Sequence, residues 1–284
     1  FSFSFLIPIF VGFVYEESSI NIFISLMIGI FLVGCCSWVF TRKDGSDLSL
    51  SDGFIITVLF WLVLSLFGAL PFYFLGFSFV DSLFESMSGI TTTGATVFSG
   101  LDELDKSVLI YRQLLQWMGG MGLIVLAIAV MPLLGIGGGQ LFKTQTPGAM
   151  SNQKLTPRIT NTARALWLIY LGLTILCLSS YKLAGMSFFD SFAHALSTVS
   201  IGGFSTHDAS IGFFNNINIE IVCMVFMILS AINFSLHYGL IYRKQFLKYF
   251  YDPELRFFLS ILFVITTVVC ISLFTLTDIA NPLR

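Results

Sequence analysis

Apolar runs at 20–40, 54–75, 163–183 and 255–276 are each long enough, coiled into a helix, to cross a lipid bilayer. A helix rises roughly 1.5 Å per residue, so a hydrocarbon layer of about 30 Å takes about 20 residues. Runs at 1–14, 108–134 and 218–242 bring the candidates to six or seven. A chain patterned this way is expected to be an all-α polytopic membrane protein. Composition agrees, because 56% of the 284 residues are hydrophobic and 11% are charged. An average globular domain carries about 25% charged residues, and a soluble domain of this size needs more polar surface than this chain can make. The net charge of −2 says nothing about partners, and no basic cluster suggests nucleic acid. Cys35, Cys36, Cys177, Cys223 and Cys270 all fall in apolar runs without metal-ligand spacing. They read as small hydrophobes, with no disulfide expected. Phe1 lies inside an apolar run, unlike the charged start of a signal peptide, and residues 281–284 follow directly on another. The chain is therefore expected to be a piece of a longer protein.

Two segments, 80–90 and 189–199, are moderately apolar but only half a span long, and each runs into a polar knot containing glycine. The basic residues indicate on which side these lie. Arg42, Lys43, Lys143, Lys154, Arg158, Arg164, Arg243, Lys244, Lys248 and Arg256 fall in or beside the loops 41–52, 135–162 and 243–254. The opposite side holds Glu16, Glu17, Asp102, Glu103, Asp105, Lys106 and Asp208, mostly acids. The positive-inside rule puts the basic loops in the cytoplasm and the half-length segments on the outer side. Alternation then holds only if each half-length segment enters and leaves from one face, so both are expected to be re-entrant.

The chain also repeats itself. GFSFVDS at 76–82 and GMSFFDS at 185–191 share five residues of seven at an offset of 109. The same offset sets Gly94 against Gly203 and Thr96 against Ser205, so TTTGAT matches SIGGFS. Each unit reads span, short helix, knot, span, and the run from 255 reads as the opening of a third.

Non-helical backbone is tolerated at membrane depth only where it is buried in protein or lines a watery path. Paired knots from two repeats suggest a shared axis. An ion entering lipid faces a cost on the order of tens of kcal/mol by Born solvation. Backbone carbonyls can remove most of it by replacing the hydration shell. Glycine permits the backbone angles that turn carbonyls inward, threonine hydroxyls add oxygens, and the carbonyl end of each short helix favours a cation.

SGITTTGAT at 88–96, RQLLQWMGGMGLIVLAIAVMPLLGIGG at 112–138 and STVSIGGFSTHDASIG at 197–212 resemble the TrkH/TrkG branch of the Trk/Ktr/HKT potassium transporters. The resemblance covers nearly the whole chain. It implies four span–pore-helix–span repeats around one path, with an extra N-terminal helix pair. Residues 1–40 would then be the extra pair, 54–134 the first repeat, 163–242 the second and 255–284 the start of the third. It also implies that Thr92, Thr93, Gly94 and Ala95 form one filter quarter, and Ile201, Gly202, Gly203 and Phe204 another, binding K⁺ as the transported ion with no covalent cofactor. Neither quarter has the Gly-Tyr-Gly ending of tetrameric potassium channels, which suggests weaker rejection of sodium. The family further implies a bacterial inner-membrane location, a homodimer and a TrkA-like nucleotide-binding regulatory subunit on the inner loops. The alternatives are a potassium symporter coupled to H⁺ or Na⁺ and, from another class, a membrane-embedded enzyme, for which three histidines and few buried acids offer little.

Other residues have plainer readings. Glu85 could be a buried carboxylate attracting cations, but Ser82-x-x-Glu85 fits a capping box, Asp81 and Asp190 could cap there too, and capping or local hydrogen bonding is preferred. His194 takes the place of Glu85 in the second repeat and is expected to satisfy a local acceptor. Ser205, Thr206, His207 and Asp208 have the residue types of a hydrolase triad but are adjacent, and an outer vestibule with an acid is preferred. The glycines at 135–139 read as a helix stop rather than a phosphate cradle. Gly119, Gly120 and Gly122 read as close-packing positions, and Arg112 as snorkelling or tied to the short helix.

Overall fold

The computed structural model describes residues 1–42, 50–130 and 155–276, and among them there are helices and turns but no strand. The chain divides into two compact units, Phe1–Ala231 and Ile232–Arg284. Lys43, Lys143, Lys154 and the glycines at 135–139 lie outside the described residues.

In the first unit a short 3-10 turn, Ser2–Phe5, leads into α1 (Leu6–Tyr15), followed by α2 (Ile20–Thr41), α3 (Leu50–Phe74), the half-length α4 (Phe79–Ile90) and α5 (Lys106–Val130). The pattern repeats in α6 (Leu155–Leu183), the half-length α7 (Phe188–Val199) and α8 (Ile217–Ala231). The second unit holds α9 (Phe234–Arg243), α10 (Phe246–Tyr251) and α11 (Pro253–Leu276). The run 218–242, read in the sequence as a single span, is thus two helices. Asn233 is the reason: its side-chain oxygen accepts from Ser235 N–H at 2.9 Å and starts α9 afresh.

Four segments among the described residues are long and apolar enough to cross a membrane: Ile20–Thr41, Thr57–Phe74, Arg164–Leu183 and Pro253–Thr275. Large side chains such as Phe40, Trp38 and Phe263 are exposed on them, as a lipid-facing chain requires. α5 has 25 residues and turns Arg112, Gln113 and Gln116 completely into the protein.

α5 is the hub of the first unit, touching α1, α3, α4, α6 and α7. Because lipid tails are as apolar as the side chains, packing and interhelical hydrogen bonds hold such helices together. Tyr111 of α5 shows both. Its ring lies 5.5 Å from Phe5, 5.5 Å from Phe23 and 5.3 Å from Phe72, and its hydroxyl donates to the Gly68 carbonyl at 3.0 Å. At the start of α5, Glu17 in the α1–α2 turn accepts from the first amides of the helix, Lys106 N–H at 2.6 Å and Ser107 N–H at 2.9 Å. The Lys106 ammonium sits 3.8 Å above the Tyr15 ring.

Candidate functional site

The two half-length helices begin alike. Ser78 caps α4 by accepting from Asp81 N–H at 3.1 Å, and Ser187 caps α7 by accepting from Asp190 N–H at 3.0 Å. Each serine also donates to its aspartate at 2.7 Å. They end alike too. Thr92 N–H donates to Gly89 O and Thr93 N–H to Ser88 O, while Ile201 N–H donates to Thr198 O and Gly202 N–H to Ser197 O. Both are Schellman motifs with a left-handed residue just past the cap. That residue is not glycine in either case, since Thr92 and Ile201 each have φ 56°. A side chain there costs about 1–2 kcal/mol, which is the kind of strain kept where a special backbone course is needed. Gly94 and Gly203 follow with φ 77° and 85°.

The knots meet. A Cβ built on Gly94 would overlap the Gly202 carbonyl oxygen and come within 3.6 Å of Gly203 Cα. Of the eight residues singled out by the sequence, Thr93, Ala95, Ile201 and Gly203 are exposed, Thr92 and Gly94 are half-buried, and Gly202 and Phe204 are buried. The Ala95 carbonyl accepts from Ser88 Oγ at 2.6 Å, which fixes its peptide. Thr91 and Thr93 share a hydroxyl–hydroxyl bond of 2.8 Å at the mouth of the first knot. The Phe204 ring turns inward, 3.3 Å from a Cβ placed on Gly89 and under the Arg112 guanidinium at 4.5 Å.

Behind the knots lies an ion pair. Arg112 Nε donates to Glu85 Oε1 at 2.7 Å, Nη1 to the Ser205 carbonyl at 3.0 Å and Nη2 to Thr96 Oγ1 at 3.1 Å. Thr96 Oγ1 donates in turn to the Glu85 carboxylate at 2.9 Å, and Val97 N–H does so at 3.2 Å. Of the two roles expected for Glu85, capping is corrected, while local hydrogen bonding is found, to Thr96 and Val97. Ser78 starts the helix, and Glu85, two turns in, faces a guanidinium. Arg112 is tied to the short helix, as its position suggested, and ties both knots to it. In the second repeat His194 takes the same corner. His194 Nε2 meets Ser205 Oγ at 3.0 Å, and its Nδ1 donates to the Asp190 carbonyl, also at 3.0 Å. The knot hydroxyls Thr96 and Ser205 then accept from Phe98 and His207 N–H in matching fashion.

The segment 205–208 is no triad. The Ser205 hydroxyl is held by His194 and His207 N–H, while the His207 ring reaches across repeats, its Nδ1 donating to Asp102 and its Nε2 lying 3.4 Å from Asp190. Phe213 stacks on that ring at 3.5 Å. Asp208 accepts from Leu101 N–H at 3.1 Å. The hydrogen bond from His207 holds the Asp102 carboxyl below its ordinary value of 3.8.

Sequence reasoning passed over two residues, Glu17 and Gln116. Gln116 Oε1 accepts from Phe204 N–H at 3.1 Å, and its amide fills the space beside Gly202 that a Cβ would need. One signal was present: Gln116 stands four residues after Arg112, on the same face of α5.

The family described as TrkH, cation transport protein, matches residues 18–283. The Trk system potassium uptake protein TrkH of Halomonas elongata is 47% identical over 275 residues, covering 94% of this chain and 57% of that protein. The Trk system potassium uptake protein TrkG of Escherichia coli strain K12 is 47% identical over 264 residues, covering 92% of this chain and 54% of its own length. The crystal structure of the potassium transporter TrkH from Vibrio parahaemolyticus superposes with a TM-score of 0.87 at 43% identity, over 99% of this chain and 58% of that one. The chain thus spans little more than half the length of these relatives. Over that span it is a polytopic helical membrane protein, and it belongs to the TrkH family of cation transport proteins.

Proposed function

We propose that this chain carries two of the repeats that line a potassium-uptake path, with residues 1–40 an accessory helix pair, 54–134 the first repeat, 163–242 the second and 255–284 the start of a third. The backbone oxygens of Thr92, Thr93, Gly94, Ala95, Ile201, Gly202, Gly203 and Phe204 contribute half of a filter that replaces the hydration shell of K⁺. The observation that carries the reading is the meeting of the two offset-matched knots at Gly94 and Gly202. Two short helices end at these knots, and a helix C-terminus, with about half a negative charge, favours a cation. The relatives named as Trk system potassium uptake proteins supply the ion.

In this reading the protein lies in the bacterial inner membrane with the knots toward the outside. It pairs as a homodimer and carries a TrkA-like nucleotide-binding subunit on its inner loops. Uptake is channel-like rather than coupled to H⁺ or Na⁺, because the buried Glu85 is held in an ion pair with Arg112 and these two repeats offer no unambiguous intramembrane acid for coupling. The test is growth and rubidium uptake of potassium-uptake-deficient bacteria expressing the complete protein. The expected result is uptake that survives separate collapse of the proton and sodium gradients and is lost when Gly94 is enlarged. Uptake unchanged by an enlarged Gly94, in protein present at normal abundance, would overturn the filter assignment.

A further inference from the structure

α5 belongs to the first repeat, yet two of its side chains grip the second knot. Arg112 holds the Ser205 carbonyl at 3.0 Å, and one helical turn further on Gln116 accepts from the neighbouring Phe204 N–H at 3.1 Å. Arg112 has an ionic partner to satisfy, but Gln116 has none. It is completely buried, its amide is packed flat against Gly202, and its Nε2 makes no hydrogen bond. A hydrocarbon side chain of the same length would fill this space without leaving a buried donor unpaired, and unpaired buried donors are disfavoured. What only an amide or carboxylate supplies here is an acceptor for the Phe204 peptide. That peptide lies two residues from Gly202, whose carbonyl abuts Gly94 of the facing knot.

We propose that Gln116 is a positioning residue that fixes the second knot against the first, and that it thereby sets the preference for potassium over the smaller, more strongly hydrated sodium ion. The inference rests on the filter reading above. Gln116 acts through the backbone and does not touch the ion. Its hydrogen bond to Phe204 N–H keeps the carbonyls of 202 and 203 from drawing inward to the spacing that sodium needs. The free Nε2 faces the Gly202 side of the knot and keeps that flank polar but uncharged.

The experiment uses the complete protein in potassium-uptake-deficient bacteria, with potassium uptake measured against sodium as competitor and membrane abundance measured in parallel. Gln116→Met keeps the length and removes the acceptor. Gln116→Glu keeps an acceptor for Phe204 N–H. Gln116→Met is expected to lower the potassium-over-sodium preference about tenfold, the equivalent of one hydrogen bond, with maximal uptake per molecule little changed. Gln116→Glu is expected to retain more of the preference than Gln116→Met. A purely structural role would lower abundance or maximal uptake and leave the preference intact, and that result overturns the proposal. If Gln116→Met fails to reach the membrane, a Gln116→Glu protein with wild-type abundance and a preference as low as that of a nonselective pore overturns it equally. Wild-type protein that takes up no potassium refutes the filter reading itself. Normal wild-type selectivity with an indifferent Gln116→Met refutes only the role of Gln116.

Discussion

Arg112 of α5 and Glu85 of α4 form an ion pair at 2.7 Å with both side chains fully excluded from solvent. Burying two charges is costly, and their attraction repays this only when the remaining hydrogen-bonding capacity is met. Here it is met by Thr96, Val97 N–H and the Ser205 carbonyl. The pair therefore joins the short helix, the span and both knots in one network.

Removing one partner strands the other charge. Arg112→Gln or Glu85→Gln alone is expected to destabilise the full-length protein by about 3–5 kcal/mol, and the double replacement by less than the sum. Arg112→Lys retains the charge but not the planar fork, so it is expected to fall between wild type and Arg112→Gln. Thermal melting of the detergent-purified protein measures the cycle, and strictly additive losses would show that the two residues are not coupled.

Gly94 is predicted to tolerate no side chain. Alanine there pays about 1–2 kcal/mol for the left-handed backbone and also overlaps the Gly202 carbonyl oxygen. Gly94→Ala should abolish rubidium uptake at normal membrane abundance. Uptake close to wild type would mean that contact between the knots is unimportant.

The link from Asp102 to His207 predicts a pH dependence. The folded protein holds the Asp102 carboxyl below 3.8, so the stability it contributes is fully present above that pH and is lost as pH falls through the lowered value. Asp102 is 45% exposed, so the effect is small. Replacing His207 with Phe should flatten the acid side of the melting-temperature profile and leave the neutral side less changed. An unaltered acid limb would exclude the link.

Glu17 is predicted to act as a cap supplied from a distance. Its carboxylate takes the first two amides of α5, which the helix itself cannot satisfy. Glu17→Ala should cost about 1 kcal/mol and raise hydrogen exchange at Lys106 and Ser107, while Glu17→Gln, with one oxygen left, should cost less. Exchange confined elsewhere would contradict this.

The half-length helices were legible because their signals are local. Each is a moderately apolar run half a span long, and the glycine-containing knot that follows marks where it stops. The break at Asn233 was missed because several polar residues are scattered through this apolar run, and which of them caps a helix is ambiguous until the Asn233 side chain is seen bonding Ser235 N–H. The capping box read at Glu85 fails for a related reason, although its local hydrogen bonds are present. Ser82-x-x-Glu85 has the spacing of a capping box, but the helix starts four residues earlier at Ser78, and Glu85 turns toward Arg112 instead.

By itself the amino-acid sequence determined the apolar spans, the two short helices and the 109-residue repeat, because span length, caps and glycine placement act over a few residues. Only the tertiary structure decided which side chains hold the knots. Arg112 finds the Ser205 carbonyl 93 residues away and Gln116 finds Phe204 N–H 88 residues away. A buried charge or amide must find a partner at membrane depth, but its own sequence neighbourhood does not say where that partner lies. Helix packing around α5 does.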